Sequence, residues 1–213
     1  MKKTILFTAV IGIIAITSFA FAVLTPEAKK SSNNLHALRE PTLWKADKVH
    51  SMVKFSVTHL LVSEVDGSFK LFEGTMETSK PDFSDAKINF TVDINSLSTD
   101  NENRDSHLKS DDFFNAEKYP SIKFEGTSFT PLGENKYKLE GNLTIRDVTK
   151  PVTFDVVYGG MANAMGSTRA GFKAKTTINR FDYNLKWDKA TEAGGLVVSK
   201  EVDITVNVEM VKS

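Results

Sequence analysis

The sequence predicts an all-β fold in which about eight antiparallel strands close into an up-and-down barrel. From residue 42 onward, apolar and polar residues alternate in one segment after another, which is typical of strands with one buried and one solvent-facing side. Turn-forming residues separate these segments, as in Pro131–Asn135 and Arg146–Pro151. No cysteine pair or core tryptophan stands at immunoglobulin spacing, and this favours a barrel over a sandwich.

The individual strands are predicted from their alternation. Long strands begin near residues 53, 86, 137, 152, 170 and 202, and weaker strands are predicted over 69–76 and 122–129. Successive side chains of a strand point to opposite faces, so one parity of each long strand faces inward. The inward residues are Val53, Phe55, Val57 and His59; Ala86, Ile88, Phe90, Val92 and Ile94; Tyr137, Leu139, Leu143 and Ile145; Val152, Phe154, Val156 and Tyr158; Ala170, Phe172, Ala174, Thr176 and Ile178; and Val202, Ile204, Val206, Val208 and Met210.

The size of the inward side chains bears on whether the barrel is hollow. The inward set is rich in phenylalanine, but the strand over 170–178 contributes Ala170, Ala174 and Thr176. Small side chains on the inner face leave space, and an eight-stranded barrel is about wide enough for one small or elongated ligand. The same small residues also fit a filled barrel, in which they accommodate neighbouring phenylalanine rings. Alternation alone does not separate these two interpretations.

One polar segment, 97–124, interrupts the series of strands. A short helix is predicted near 101–111, and we expect this insertion to cover the entrance at one end of the barrel. Arg104 and His107 are three residues apart, so they share a helix face, and the apolar pair Phe113–Phe114 follows them. Two roles are open for Arg104: it clamps the helix by pairing with a carboxylate, or it meets the polar end of a ligand.

The N-terminus predicts export. Lys2–Lys3 precede an uncharged, mostly apolar run over 4–24, and Ala20–Ala22 fits the small-x-small pattern of a secretory cleavage site. Residues 1–22 are therefore predicted to be a signal peptide that is cleaved after Ala22. The alternative is an uncleaved membrane anchor, because the run is just long enough to span a bilayer.

The remaining chain is predicted to contain one domain. Residues 23–41 are polar and resemble a flexible leader, and residues 42–213 form a barrel domain of ordinary size. The chain has no cysteine, which excludes disulfides and a lipid-modified cysteine anchor. Lysine plus arginine and aspartate plus glutamate number 27 each, so charge gives no argument for nucleic-acid binding.

Catalytic and metal-binding signatures are not found in the sequence. There is no cysteine nucleophile and no Gly-x-Ser-x-Gly elbow. His50, His59 and His107, with Asp105 and Asp112, lack the spacing that is typical of zinc sites. We therefore predict no catalytic residue, no metal site and no cofactor. His59 shares the apolar face of its strand, where it is either a hydrogen-bonded core or rim residue or a contact for a polar ligand head.

Several ordered motifs resemble the YceI-like family over nearly the whole domain, from Leu43 to Lys212. They are Trp44-x-x-Asp47-x-x-His50-Ser51, Val53-x-Phe55-x-Val57-x-His59-Leu60, Gly67-x-Phe69, Arg104-Asp105-x-His107-Leu108-x-Ser110-x-Asp112-Phe113, Tyr119-Pro120-x-Ile122-x-Phe124, Gly141-x-Leu143-Thr144-Ile145-x-x-Val148-Thr149-Lys150-Pro151-Val152, Gly171-Phe172-x-Ala174 and Asn179-Arg180-x-Asp182-Tyr183.

The resemblance implies a lipocalin-like barrel in the periplasm, with an elongated apolar cavity that holds a polyisoprenoid chain. Members of this family are regarded as binding or carrier proteins for isoprenoid lipids or isoprenoid quinones, and no catalytic activity is established for them. Arg146 departs from the family pattern, since a glycine is often found in that turn. We expect this departure to lie on an exposed turn.

The combined interpretation is an exported carrier of a polyprenyl lipid or isoprenoid quinone, with no nucleic-acid partner. Transient membrane contact and a homodimer are compatible with it. The alternative is a stress-related structural or interaction protein whose barrel is filled by its own side chains. The residues predicted to bind the ligand are Phe55, Val57, His59, Phe90, Val92, Arg104, His107, Phe113, Phe154, Val156, Phe172 and Ala174.

Overall fold

The computed structural model describes residues 40–189 and 197–213. The predicted signal peptide over 1–22 lies outside the described residues, and so does the predicted leader up to residue 39. In the described part of the chain, no helix is long and apolar enough to cross a membrane.

The described residues form eleven β-strands, one α-helix and two short 3₁₀ turns. The strands are β1 (Thr42–Ala46), β2 (Met52–His59), β3 (Ser63–Phe69), β4 (Phe72–Thr78), β5 (Lys87–Asp93), β6 (Leu97–Ser98), β7 (Ser121–Gly133), β8 (Lys136–Ile145), β9 (Val148–Ala164), β10 (Ser167–Asn179) and β11 (Glu201–Lys212). The helix α1 is Glu102–Lys109, and the 3₁₀ turns are Ile94–Ser96 and Arg180–Tyr183.

These segments form an eight-stranded closed antiparallel barrel, as the alternation predicts. The ring runs β1-β4-β5-β7-β8-β9-β10-β11, and β11 pairs with β1 to close it. Three of the eight barrel strands are interrupted, so that β2, β3 and β6 continue β1, β4 and β5 at one end of the barrel. Here β2 pairs with β11 and β3, and β3 pairs with β6.

The break between β3 and β4 corrects one predicted strand. Residues 69–76 were expected to form a single strand, but β3 ends at Phe69 and β4 begins at Phe72. Both phenylalanines are buried although they are three residues apart, which a continuous strand of period two does not allow. The intervening backbone bonds instead to the 3₁₀ turn, because Lys70 N–H donates to the Ser96 carbonyl at 3.1 Å.

One end of the barrel is closed by the loop over 79–86. Its residue Phe83 is 2% exposed, and its ring packs edge-on against Trp44, Tyr158 and Phe172 at centroid distances of 6.0, 5.6 and 5.4 Å. Aromatic rings bury a large apolar surface and favour such edge-to-face geometry. We call this the closed end.

The opposite end contains the inserted helix that the sequence predicts. Helix α1 lies in the connection between β6 and β7, and the side chain of Asn101 accepts a hydrogen bond from Arg104 N–H at 3.0 Å, which caps its first turn. The ladder between β5 and β7 ends at the pair Asp93 and Ser121. The helix therefore stands where strand pairing stops, and we call this end the mouth.

Candidate ligand-binding cavity

A cavity of about 470 Å³ occupies the barrel interior. This volume lies within the roughly 300–1,000 Å³ range of small-molecule sites. All twelve residues predicted to bind a ligand line it, from Phe55 on β2 to Ala174 on β10. For the nine residues on strands this placement follows from alternation, whereas Arg104, His107 and Phe113 reach the cavity from the insertion between β6 and β7. That these residues contact a ligand stays a prediction.

The cavity is elongated along the strands. On β11 its lining extends from Val202 to Met210, a distance of eight residue steps, which at about 3.3 Å per step corresponds to about 26 Å of strand. Phe129, Phe172 and Met210 line its deep part, just inside the aromatic cluster of the closed end. Because Arg104 lines the cavity and is itself exposed, the cavity reaches solvent at the mouth.

Two glycines make room for phenylalanine rings along the wall. A Cβ on Gly67 would lie 2.1 Å from the ring of Phe55, and a Cβ on Gly74 would lie 2.4 Å from the ring of Phe90. Each ring therefore covers a glycine on the neighbouring strand, with which it is paired in register. Rings that lie against the wall in this way leave the centre of the barrel open.

Polar side chains gather at the mouth. His59 forms an isolated β-bridge with Val198, and the guanidinium of Arg180 donates to the Val198 carbonyl at 3.2 Å and the Trp187 carbonyl at 2.8 Å. The Trp187 ring in turn packs edge-on against His107 at 5.3 Å. His59, Arg180 and His107 thus share one rim and all line the cavity. Most of the remaining lining is apolar or aromatic.

Arg104 is attached to Thr99. Its Nε donates to the Thr99 hydroxyl and its Nη2 to the Thr99 carbonyl, both at 2.7 Å. Among residues 40–189 and 197–213, no carboxylate forms an ion pair with Arg104, so the predicted carboxylate clamp is not found there. Instead, the carboxylate of Asp105 accepts from Thr99 N–H at 2.8 Å. Helix α1 is therefore held to β6 through Thr99.

His107 and Phe113 form part of an aromatic corner at the mouth. The His107 ring lies edge-on to the Phe113 ring, with their centroids 5.1 Å apart. The centroids of the Phe113 and Trp187 rings are 5.3 Å apart. His107 Nε2 shares a hydrogen bond of 2.8 Å with the carboxylate of Asp112. This contact orients the half-buried imidazole, which presents both an apolar edge and a polar nitrogen at the rim.

Arg180 is the mouth residue that our site prediction omitted. It is only 3% exposed, and burial lowers the pKa of its guanidinium, while the carboxylate of Asp188 opposes this effect. Backbone carbonyls satisfy its donors. They belong to Ser199 at 2.8 Å, Leu185 at 2.7 Å, Trp187 at 2.8 Å and Val198 at 3.2 Å. The Asn179-Arg180 motif was visible in the sequence, but its contacts depend on a chain segment that follows later.

Arg146 corrects another expectation, since the turn that carries it is not simply exposed. Its side chain is 15% exposed, and it donates to the Phe113 carbonyl at 2.9 Å and to the Asp111 carboxylate at 2.9 Å. Its φ of 55° explains why a glycine suits this position. Arg146 therefore connects the β8–β9 turn to the segment that carries Phe113.

One group of potential metal ligands lies outside the cavity lining. Its ligand atoms belong to Asp47, His50 and Glu209 and lie within 4.8 Å of one another. Arg169 bridges the two carboxylates, at 2.8 Å from Asp47 and in a close contact with Glu209. The hydrogen bond from His50 and the guanidinium of Arg169 hold the pKa of Asp47 well below its usual range. The group is an ion-pair cluster that joins the β1–β2 break to β10 and β11.

The model of the YceI-like domain matches residues 44–210, which is most of the chain. The chain belongs to the YceI-like family. Its barrel, the inserted helix and the ordered motifs agree with this assignment. Arg180 and Arg104, which lie in two of those motifs, are therefore mouth residues of a YceI-like barrel.

Relatives of this YceI-like chain match about three quarters of it. The UPF0312 protein SA2479 of Staphylococcus aureus is 41% identical over 165 residues, which are 76% of this chain and 94% of that protein. The Campylobacter jejuni YceI protein, known from a crystal structure, has 31% sequence identity and a TM-score of 0.63. This match covers 73% of this chain and 90% of that one. A polyisoprenoid binding domain from Saccharophagus degradans has a TM-score of 0.59 at 16% identity, over 80% and 98% of the two chains, and this likeness shows the fold alone.

Proposed function

We propose that this protein binds and carries a long apolar isoprenoid, either a polyprenyl lipid or an isoprenoid quinone, without catalysing a reaction. The observation that carries the proposal is the shape and chemistry of the cavity. It is long, closed by aromatic rings at one end and apolar along its walls, and polar side chains gather where it opens. A long hydrocarbon chain with a polar end has its apolar and polar parts in the same arrangement.

The apolar walls account for affinity. Burying one CH₂ group contributes about 0.8 kcal/mol, so a chain of several prenyl units gains enough to offset its loss of conformational freedom. Branched methyl groups suit a wall made of phenylalanine, valine and isoleucine side chains, because no polar group on the chain requires a partner there.

The mouth accounts for the polar end of the ligand. Arg104, His59 and His107 all line the cavity near its opening. A guanidinium and two imidazoles can donate hydrogen bonds to a phosphate or to a quinone oxygen. We therefore place the head group at the mouth and the tail toward the closed end.

The alternative of a filled barrel fits the cavity poorly. A barrel packed by its own side chains leaves few voids larger than a water molecule, whereas this barrel contains about 470 Å³ of open volume. The Saccharophagus degradans domain has the same fold and is described as polyisoprenoid binding, which supports the ligand class for such a barrel.

The proposal also includes export to the periplasm. It rests on Lys2–Lys3, the apolar run over 4–24 and the Ala20–Ala22 pattern, which together are typical of a secretory signal. A long prenyl chain needs a carrier in an aqueous compartment, which is consistent with this location. N-terminal sequencing of the mature protein should begin near Val23, and a membrane-bound species that retains Met1 would contradict cleavage.

Mass spectrometry of an organic extract tests the ligand. Protein that is purified natively should release a prenyl lipid or prenyl quinone in an amount close to that of the protein. The control is the same protein after unfolding and refolding without lipid, which should release none and should regain the lipid from vesicles that contain it. An extract without a prenyl compound, together with no uptake by the refolded protein, contradicts the carrier function.

A further inference from the structure

The turn between β2 and β3 has an unusual sequence for its backbone. Val62 N–H donates to the His59 carbonyl at 3.2 Å, which closes a four-residue turn. Its two central residues, Leu60 and Leu61, have φ values of 51° and 63°. Two central residues with positive φ are the mark of a type I′ turn, in which asparagine and glycine are strongly preferred. A leucine in this region of φ is sterically strained.

Two other hairpins of the same barrel have a preferred residue at one of their two left-handed positions. The turn between β7 and β8 has Asn135 at its second left-handed position, and the turn between β9 and β10 has Gly166. These two turns lie at the closed end of the barrel. The β2–β3 turn, which lies at the mouth, has neither asparagine nor glycine at its centre.

The three apolar side chains of this turn also face solvent. Leu60 is 43% exposed, Leu61 is 81% exposed and Val62 is 83% exposed. Packing inside the barrel therefore does not compensate for the strain of the two leucines. Strained residues persist where the structure around them or a function requires them, and adjacent exposed aliphatic side chains are typical of an interaction site. We call Leu60–Val62 the apolar tip.

The apolar tip adjoins the cavity mouth. His59, immediately before it, lines the cavity, and Leu60 N–H donates to the Val197 carbonyl at 2.9 Å. Val197 is itself a lining residue. A surface that takes up the tip would therefore come to lie directly against the opening through which a ligand enters.

We propose that the apolar tip inserts into the surface of a lipid bilayer and thereby places the cavity mouth against the membrane. This inference rests on the proposed function, because a long isoprenoid resides in a bilayer and has to leave it without crossing water. Three aliphatic side chains provide only a small apolar area, so membrane association through them should be marginal and reversible. Reversible docking suits a carrier, which has to detach after loading.

A fluorophore at the tip tests the insertion. The chain contains no cysteine, so Leu61→Cys can be labelled at one site with an environment-sensitive dye. The matched control is Met165→Cys, because Met165 is 86% exposed, has a φ of 53° and lies in a hairpin turn at the closed end. With vesicles of phosphatidylethanolamine and phosphatidylglycerol, emission should shift to the blue at position 61 and stay unchanged at position 165. The full chain can be used for this comparison. An N-terminal anchor would bring both dye positions to the vesicle, but it would not insert position 61 selectively.

A second variant separates the tip from fold stability. The double substitution Leu60→Asn and Leu61→Gly restores the residues that a type I′ turn prefers, so its melting temperature should rise. The rate at which it takes up a prenyl lipid from vesicles should fall by about tenfold or more, since a tenfold change corresponds to only 1.4 kcal/mol of interaction. Unchanged uptake, or no blue shift at position 61, overturns the proposal.

The failure of this inference and the failure of the carrier function give different results. If the native protein contains a prenyl lipid but position 61 shows no shift, the apolar tip does not dock and the carrier function stands. If position 61 shifts on vesicles but the extract contains no prenyl compound, docking stands and the carrier function fails. A shift at position 61 that depends on protein concentration without vesicles assigns the tip to a dimer interface and overturns membrane docking.

Discussion

Phe83 at the closed end and Leu61 at the mouth have nearly the same φ and opposite surroundings. Their φ values are 58° and 63°, in a region that bulky residues rarely adopt. Phe83 is 2% exposed and packs against three aromatic rings, whereas Leu61 is 81% exposed. At the closed end, packing compensates for the strain. At the mouth, the protein keeps the strain without a comparable internal gain, which is the reason for proposing a role outside the barrel.

The same difference extends to the two ends as a whole. Aromatic side chains that contact one another close one end, so that end contributes mainly to stability. At the mouth, Arg104 and Arg180 bond to backbone carbonyls, and the nearby imidazoles line the opening. The predictions below test this division, beginning with the largest expected effect.

Phe83→Ala should lower the free energy of unfolding by about 3–5 kcal/mol, because it removes a buried aromatic ring and leaves a cavity. Chemical denaturation measures this loss. The matched control is Leu61→Ala, which changes an exposed residue with a similar φ and should stay within about 0.5 kcal/mol of the wild type. Equal losses for the two variants would contradict the division between the two ends.

Arg180→Met should be the most destabilising change at the mouth. It leaves the buried carbonyl of Leu185 and the partly buried carbonyl of Trp187 without their donor, which should cost about 3 kcal/mol. For a domain of this size, that corresponds to a decrease of about 6–12 °C in melting temperature. Calorimetry checks the value. If the variant has the same melting temperature as the wild type, these hydrogen bonds do not contribute to stability.

Gly74→Ala should narrow the cavity, because the new Cβ would meet the ring of Phe90 and push it toward the centre. Overpacking of this kind costs about 1–3 kcal/mol. The amount of bound prenyl lipid should fall as well, which mass spectrometry can measure. Gly171→Ala is the control, since a Cβ there meets nothing within 4 Å, and it should change neither quantity.

Arg104→Met should have the smallest effect on stability and a clear effect on affinity. Arg104 is exposed and its two bonds reach only Thr99, so the loss of unfolding free energy should be about 1 kcal/mol or less. If its guanidinium meets the ligand head group, affinity should fall by about tenfold, which is 1.4 kcal/mol. Melting and lipid titration of one variant measure both. A lowered melting temperature with intact affinity would make Arg104 a purely structural residue.

Alternation along single strands was enough to predict the barrel interior, because it assigns Phe55, Phe154 and Ala174 to inward positions without any knowledge of pairing. It was not enough for β1, which the strand prediction omitted. With five residues, Thr42–Ala46 is too short for a reliable alternation, and its importance depends on pairing with β4 and β11. The break between Phe69 and Phe72 was also missed, since it follows from backbone bonds to a distant 3₁₀ turn.

The mouth was predicted less completely than the cavity. Helical spacing correctly grouped Arg104 with His107, but the partner of Arg104 is Thr99 and not a carboxylate. Arg180 was omitted because its role depends on the carbonyls of Leu185, Trp187, Val198 and Ser199, which the fold brings to the rim. Local patterns predict which face a residue occupies, and they do not predict which distant backbone atoms it bonds.

The most direct test of the carrier function is the amount of prenyl lipid that remains with an Ala174→Trp variant after native purification. Ala174 lines the cavity, so the indole should occupy the space of the chain while the cavity accommodates it without unfolding the barrel. Lys173→Trp is the matched control, because Lys173 is the exposed neighbour on the same strand. We predict that Ala174→Trp retains no prenyl lipid and that Lys173→Trp retains the wild-type amount. Equal retention by both variants, with unchanged melting temperatures, would contradict the assignment of the cavity as the binding site.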